Sequence, residues 1–379
     1  MNKKILVHAL GATMGGAARH LSNLLKEIPH VDPSFDYHFL MRESFPLDRS
    51  TGVPIERIPD AVAGGPVRRV AFDNFTLRQR LTREKFDVIV SLTNFGPISS
   101  PIPHVLFQRN SLYFCPLYLA RVPLRTRLIT LARRRMAVAT MLRANLIVTP
   151  TDAMAEMIRA CCPETQCRKF ATLYHGFAHD DPIEPLSERL QGVLTRVAGP
   201  KILIPEHPGL HKGFDVAALA IATLKHRGQP GSLVLTMSRE DWPGGPAACD
   251  ALLGSLDVTD RVVFLGRVPQ RQMASLYGAA ALMFHPSLCE SFGFPAVESM
   301  GYGLPLVAAG TAVNREICQR AALYYEPLNG SQAADQIGRA LDAGVRTELL
   351  AAARERMKSF DWSWRRYARQ FHALVSQVI

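Results

Sequence analysis

Glu290 and Glu298 are separated by seven residues and straddle a Phe-Gly-Phe-Pro turn, in the stretch Leu-Cys-Glu-Ser-Phe-Gly-Phe-Pro-Ala-Val-Glu-Ser-Met-Gly-Tyr-Gly-Leu-Pro at 288–305. Pro295 suits the first turn of a helix, where its missing N–H is not needed. Gly303 and then Pro305 suit the end of that helix. The spacing predicts Glu290 on the loop entering the helix and Glu298 about one turn inside it. A helix N-terminus carries free N–H groups and a partial positive charge, and so can seat a phosphate or sugar oxygen. Carboxylates on either side accept hydrogen bonds from hydroxyls. That combination describes a sugar-nucleotide site rather than a metal cage.

Two further stretches add polar chemistry. Gly11-Ala-Thr-Met-Gly-Gly-Ala follows an apolar run at the start of the chain, and Gly15 and Gly16 open a helical pattern there. Glycine lets backbone N–H groups approach an anion closely, although a plain strand-to-helix turn would read the same way. The stretch lacks the G-x-G-x-x-G dinucleotide fingerprint and its acidic ribose ligand. His207-Pro-Gly-Leu-His-Lys-Gly-Phe-Asp brings His207, His211 and Lys212 together. A histidine beside a phosphate can become protonated, so either imidazole is a source of charge or an ordinary loop residue. No Asp-x-Asp pair occurs in the chain, so no metal site and no cofactor is expected.

Short β-rich runs alternate with helical patterns throughout. Strands are expected at 4–7, 88–91, 105–108 and 146–149, and then at 202–205, 233–237, 262–265, 282–285 and 306–309. Continuous apolar strands between helices imply parallel sheets covered on both faces. The fold class is therefore α/β: two Rossmann-like domains with parallel sheets facing across a cleft, with ligands at the carboxyl ends of the strands. The expected domains are 1–180 on the acceptor side and 181–355 on the donor side, with a final helical segment at 356–379. The boundary is placed in the Pro-rich, charged run His179-Asp-Asp-Pro-Ile-Glu-Pro-Leu.

The run from Glu290 through Gly-Leu-Pro-Leu-Val-Ala to Ala308 resembles the signature of the retaining glycosyltransferases of family 4, which have the GT-B fold. The resemblance implies that Glu290 contacts the donor sugar and Glu298 the ribose. Backbone amides of Ser291, Phe292, Gly293 and Phe294 would hold sugar and phosphate oxygens. It also implies donor-phosphate contacts for Gly15 and Gly16, a diphosphate cation in Lys212, and a nucleobase contact at the backbone of Val268. Catalysis would rest on Glu290 and Lys212. The family's Arg before Lys-Gly is absent here, which leaves His211 or His207 to supply charge. In the first half, Arg109-Asn110 stand where the family has His-Asp, and neither is a base at neutral pH. His104, His20 and Asn94 are the fallback residues on the acceptor side. A front-face route can use the leaving phosphate as base. In the family, the last helix crosses back onto the first domain.

The resemblance implies a metal-independent transferase that takes a nucleotide-diphosphate sugar and a glycan or lipid-linked acceptor, in cell-surface polysaccharide synthesis. A soluble transferase making a small glycoside or storage glucan is the alternative. A sugar-nucleotide-binding subunit without turnover is another.

The chain of 379 residues suits two domains, and 47% hydrophobic residues can fill two cores. Seven cysteines without regular spacing point to a reducing compartment. No apolar run reaches the ~18 residues of a membrane span. The net charge of +11 is uneven: between Asp87 and Asp152 there is no acid, but there are eight arginines. Arg121, Arg125, Arg127, Arg133, Arg134, Arg135 and Arg143, with Leu124, Leu128, Leu131 and Val138 between them, suit either a solvated face or an anionic membrane surface. No nucleic-acid motif accompanies the charge. The expected location is the cytoplasm, peripheral on the inner face of the plasma membrane.

Overall fold

A computed structural model of the chain describes residues 2–12, 15–46, 52–177 and 182–379. Thr13 and Met14 of the glycine stretch lie outside those residues, as do His179 to Asp181 at the expected domain boundary. The chain divides into two compact units. The first comprises 1–115, 123–177 and 362–379, and the second comprises 116–122 and 178–361.

The first unit holds seven parallel strands: β1 Lys3–His8, β2 Phe35–Arg42, β3 Ile55–Ile58, β4 Val88–Ser91, β5 His104–Phe107, β6 Leu146–Thr149 and β7 Phe170–Thr172. Their order is β3-β2-β1-β4-β5-β6-β7. The second unit holds β8 Lys201–Ile204, β9 Ser232–Leu235, β10 Val262–Phe264, β11 Leu282–His285, β12 Leu306–Ala309 and β13 Ala322–Tyr325, ordered β10-β9-β8-β11-β12-β13. Every pairing is parallel. The strand order reverses between β1 and β4 in the first sheet and between β8 and β11 in the second. In sheets of this kind ligands bind outside the carboxyl ends of the strands at such a reversal.

The central strands are runs such as Val-Ile-Val-Ser and Leu-Val-Ala-Ala, buried on both faces by helices. β1, β5, β8 and β9 each begin one residue earlier than expected, at Lys3, His104, Lys201 and Ser232. Four strands, β2, β3, β7 and β13, were not expected from sequence. β2 reads Phe-Asp-Tyr-His-Phe-Leu-Met-Arg, and its polar Asp36 and His38 bond each other at 2.7 Å.

The chain returns to the first unit at Trp362, a few residues beyond the boundary expected at 356. Residues 343–358 form a helix of the second unit instead. The last helix, Trp364–Ser376, buries Trp364, Tyr367, Phe371 and Val375 on one face. Phe371 packs on Phe107 and Tyr37, and Tyr37 OH meets His372 Nδ1 at 3.0 Å. Tyr367 OH lies 2.5 Å from His20 Nε2. These contacts hold the end of the chain to strands laid down at its beginning.

Candidate functional site

In the second unit, the loops leaving β8 and β11 meet at Lys212. Its Nζ lies 2.5 Å from Glu206 Oε2 and 2.6 Å from Glu290 Oε1. Glu206 stands two residues beyond β8 and is 3% exposed, so its charge needs an internal partner. Glu206 Oε1 lies 2.5 Å from Nδ1 of His285, the last residue of β11. Ser287 donates its hydroxyl to Glu290 Oε1 at 2.6 Å. Burial pushes both carboxyls up, but the Lys212 ammonium outweighs it and holds Glu206 and Glu290 below the usual carboxylate range. Burial pushes Lys212 down, and the two carboxylates more than reverse that. All three groups are charged at neutral pH.

Glu206, His285 and Glu290 have the donor atoms to hold a metal ion. The Lys212 ammonium already lies against both carboxylates, so an ion there would have to displace it. Lys212 reaches this point because Gly213 turns the backbone at φ 66°, where a Cβ would come within 2.3 Å of the Pro286 carbonyl oxygen. Leu288 N–H donates to the His211 carbonyl at 2.8 Å and ties the two loops together.

The helix expected after Glu290 runs from Phe294 to Gly301, with Pro295 in its first turn and Gly293 as N-cap at φ 83°. Phe292 is buried and meets Phe294 edge-on at 5.2 Å between ring centroids. Ser291 is partly exposed on the same turn. Glu298 stands one turn into the helix, 7% exposed, and accepts a hydrogen bond from Tyr277 OH at 2.9 Å. Tyr277 comes from the helix Gln270–Gly278 and is itself buried. Val268 lies on the loop leaving β10, 9% exposed, where Gly266 N–H donates to the Met237 carbonyl at 3.1 Å.

Glu290, Lys212 and the turn 291–294 are thus brought together, with Glu298 on the helix that follows. Glu206 is turned inward onto Lys212 and His285. His211 does not supply the charge asked of it. Burial and the neighbouring Lys212 ammonium push its imidazole down to about 4, so it is neutral at pH 7. His207 is exposed. Sequence reasoning missed His285, Ser287 and Tyr277. The signal for His285 was present, since it ends an expected strand at the carboxyl edge of the sheet.

The first-unit candidates divide. His104 is 1% exposed inside β5, bonded to Ser91 Oγ at 2.9 Å and pushed by burial to about 3. Its ring lies within the sheet core, which corrects its place among acceptor-side residues. Asn94, at φ 64°, accepts from the Arg109 and Asn110 backbone amides at 2.7 and 2.8 Å. Asn110 Oδ1 in turn accepts from Leu112 N–H at 3.1 Å. These two asparagines shape the loop. Arg109 remains at its surface, donating to His20 Nδ1 at 2.9 Å and lying 3.4 Å from the Gly16 carbonyl. His20 is fully buried and held neutral, far below its ordinary value, by burial and by Arg109. Gly15 and Gly16 open the helix Gly15–Glu27 as expected.

Residues 202–343 match the family described as Glycosyl transferases group 1. The chain is 30% identical over 190 residues to a D-inositol 3-phosphate glycosyltransferase of Acidothermus cellulolyticus, covering 48% of this chain and 39% of that protein. It spans about two fifths of the length of such curated relatives. Among solved structures it is similar to sucrose-phosphate synthase of Thermosynechococcus elongatus, with a TM-score of 0.74, 17% identity and 99% of each chain covered. It is also similar to Anabaena HepE in complex with UDP-glucose, with a TM-score of 0.69, 18% identity and 99% of each chain covered. The second unit therefore carries a Glycosyl transferases group 1 domain, and the chain has the GT-B fold.

Proposed function

We propose that this chain, built around a Glycosyl transferases group 1 domain, is a retaining, metal-independent glycosyltransferase. It moves a sugar from a nucleotide-diphosphate donor to a glycan or lipid-linked acceptor in cell-surface polysaccharide synthesis. The observation that carries the reading is the buried Lys212 ammonium, held by Glu206 and Glu290 at the strand-order reversal between β8 and β11. A fixed cation beside a helix start suits a leaving diphosphate, whose negative charge grows as the sugar departs. Glu290 accepts from donor-sugar hydroxyls and Glu298 from ribose hydroxyls. The acceptor hydroxyl attacks the anomeric carbon from the side the diphosphate leaves. The bond from carbon to phosphate oxygen breaks, and the departing phosphate oxygen takes the acceptor's proton. No side-chain base is required, which agrees with Arg109 and Asn110 standing in the first unit where a base would be sought.

The acceptor is approached by an enzyme resting on the inner face of the membrane. Support comes from the helix Leu124–Met141, which exposes Leu124 (70%), Leu128 (58%) and Ile129 (46%) beside the exposed Arg125 and Arg127. The surface is narrower than the sequence suggests. Val138 is buried in the core, Arg121 pairs with Asp215, and Arg134 turns inward to Cys162 Sγ at 3.3 Å. Among the described residues, no helix is long and apolar enough to cross a membrane.

A thermal-shift screen against nucleoside diphosphates and then their sugars tests the reading, because a ligand that binds only the folded state raises its melting temperature. UDP and UDP-glucose come first, given the fold shared with the HepE complex. A shift with a nucleotide sugar, followed by transfer or slow hydrolysis with retained anomeric configuration, is the expected result. Binding without any turnover would point to a non-catalytic subunit, and no binding by any nucleotide would overturn the site.

A further inference from the structure

Among the described residues, Arg109 is a cation without a counterion. It sits at the carboxyl edge of the first sheet, beyond β5, against the first turn of the helix Gly15–Glu27. Its guanidinium donates to His20 Nδ1 and approaches the Gly16 carbonyl, and its Nε is sealed from solvent without a partner. The aromatic and imidazole groups clustered around His20 are His175, Trp364 and Tyr367, none of them an anion. Burial holds His175 as well as His20 neutral, and Tyr367 is pushed far above its ordinary value. Among the described residues, no carboxylate lies within ion-pair distance of Arg109. The sequence explains why: no acid occurs from 88 to 151, so the loops around Arg109 have none to offer.

Arg69 shows the contrast within the same unit. It is also largely buried, but Asp73 takes its Nε at 2.8 and 2.9 Å. Burial pushes the Arg109 guanidinium down to about 10, and no carboxylate opposes the shift. A partly desolvated charge left unanswered is costly unless something else supplies the opposite charge.

The position of Arg109 is also fixed. Asn94 takes the Arg109 and Asn110 amides on its side chain, and Gln108 Nε2 donates to the Asn94 carbonyl at 3.0 Å. Asn94 holds this arrangement at φ 64°, a conformation that L-residues seldom adopt. Arg109 is half-buried at the start of the helix, and each terminal nitrogen of its guanidinium carries two N–H groups, of which the contacts to His20 Nδ1 and the Gly16 carbonyl use one apiece. A rigid fork of the remaining donors matches the oxygens of a phosphate.

We propose that Arg109 is the core of an anion subsite within the first unit, one that takes a phosphate group. This deepens the transferase reading, on which the phosphate belongs either to the donor diphosphate or to a phosphorylated acceptor. Phosphate binding itself stands without that reading.

The test uses the full chain and two probes, inorganic phosphate and UDP, at matched ionic strength. Their affinities are measured by calorimetry for the wild type, R109Q, R109K and K212A. Inorganic phosphate should bind the wild type most tightly, R109K more weakly because lysine keeps the charge without the planar fork, and R109Q at least about tenfold more weakly than the wild type. Equal phosphate affinity in the wild type and R109Q, or no phosphate binding to the wild type, would overturn the subsite. So would an R109Q protein that melts far below wild type in phosphate-free buffer, since that marks a structural arginine. Given loss of phosphate binding in R109Q, the UDP arm assigns the source. UDP weakened by both R109Q and K212A identifies the donor diphosphate, and UDP weakened by K212A alone identifies a phosphorylated acceptor. If K212A leaves UDP untouched, the donor-site reading fails while the Arg109 subsite stands.

Discussion

Tyr277 donates its hydroxyl to Glu298 Oε2 across 2.9 Å, with both side chains buried and 21 positions apart in the chain. The bond fixes the one carboxylate of the site that stands on a helix. Hydrogen bonds to charged groups contribute about 1.5–3 kcal/mol. Tyr277→Phe should therefore weaken nucleotide binding about tenfold while leaving turnover at saturation nearly unchanged. Donor titrations of both proteins check this, and equal KM values would remove Tyr277 from any positioning role.

Lys212 carries both a structural and a chemical role. Removing one partner of a buried ion pair costs about 3–5 kcal/mol, and Lys212→Ala would leave Glu206 facing Glu290 without a cation. Urea denaturation should show a loss of that order. Transfer should fall at least about tenfold for Lys212→Ala and for Glu298→Ala, equivalent to about 1.4 kcal/mol of transition-state stabilisation. Rates within about twofold of wild type for both variants would sink the assignment.

The proposed metal independence rests on the same ammonium. The Lys212 ammonium lies against both carboxylates of the Glu206, His285 and Glu290 group, so on this proposal excess EDTA should leave the rate unchanged. Loss of activity with EDTA and its return with magnesium or manganese would contradict the electrostatic account.

The buried imidazoles of the first unit make stability depend on pH. Burial lowers His104 from 6.5 to about 3, so the folded chain keeps it neutral while the unfolded chain binds a proton below 6.5. The unfolded state then binds more protons, so stability is complete above 6.5 and is lost as pH falls toward 3. Each such group contributes up to ~1.4 kcal/mol per pH unit in that window. His20 and His175, lowered by burial and by Arg109, add to the slope. The urea midpoint should fall between pH 7 and pH 5, and His104→Asn should fall less steeply. Parallel slopes for the two proteins would show that His104 does not carry the dependence.

Membrane contact through the helix Leu124–Met141 should make the protein sediment with anionic vesicles and not with neutral ones. Each basic residue near such a surface contributes about 1 kcal/mol, screened by salt. Changing the exposed Arg125, Arg127 and Arg133 to Glu should release it, with activity on a soluble acceptor retained. Equal sedimentation with both vesicle types would leave the helix as a solvated face.

The linear chain determined much by itself. Apolar runs between helical patterns specified nine of the thirteen strands among the described residues, because a strand buried on both faces has few alternatives in composition. Pro295, Gly303 and the spacing of Glu290 and Glu298 specified a helix start between two carboxylates, because capping is a local matter. The outlying β2 and β7 escaped, since their polar or short runs lack that signature.

Only the tertiary structure decided which charges meet. Glu206 and Glu290 share one ammonium because β8 and β11 are neighbours in the sheet, although 84 positions separate the two carboxylates in the chain. By sequence His104 is a fallback residue for the acceptor side, and beside β4 in the sheet it meets Ser91 in the core. For His211 the sequence leaves a source of charge and an ordinary loop residue open, and burial beside Lys212 makes it neutral. Arg109 looked like one arginine among eight, and its lack of a counterion emerged only from what surrounds it. Burial and partner choice depend on distances through space, which residue order does not encode locally.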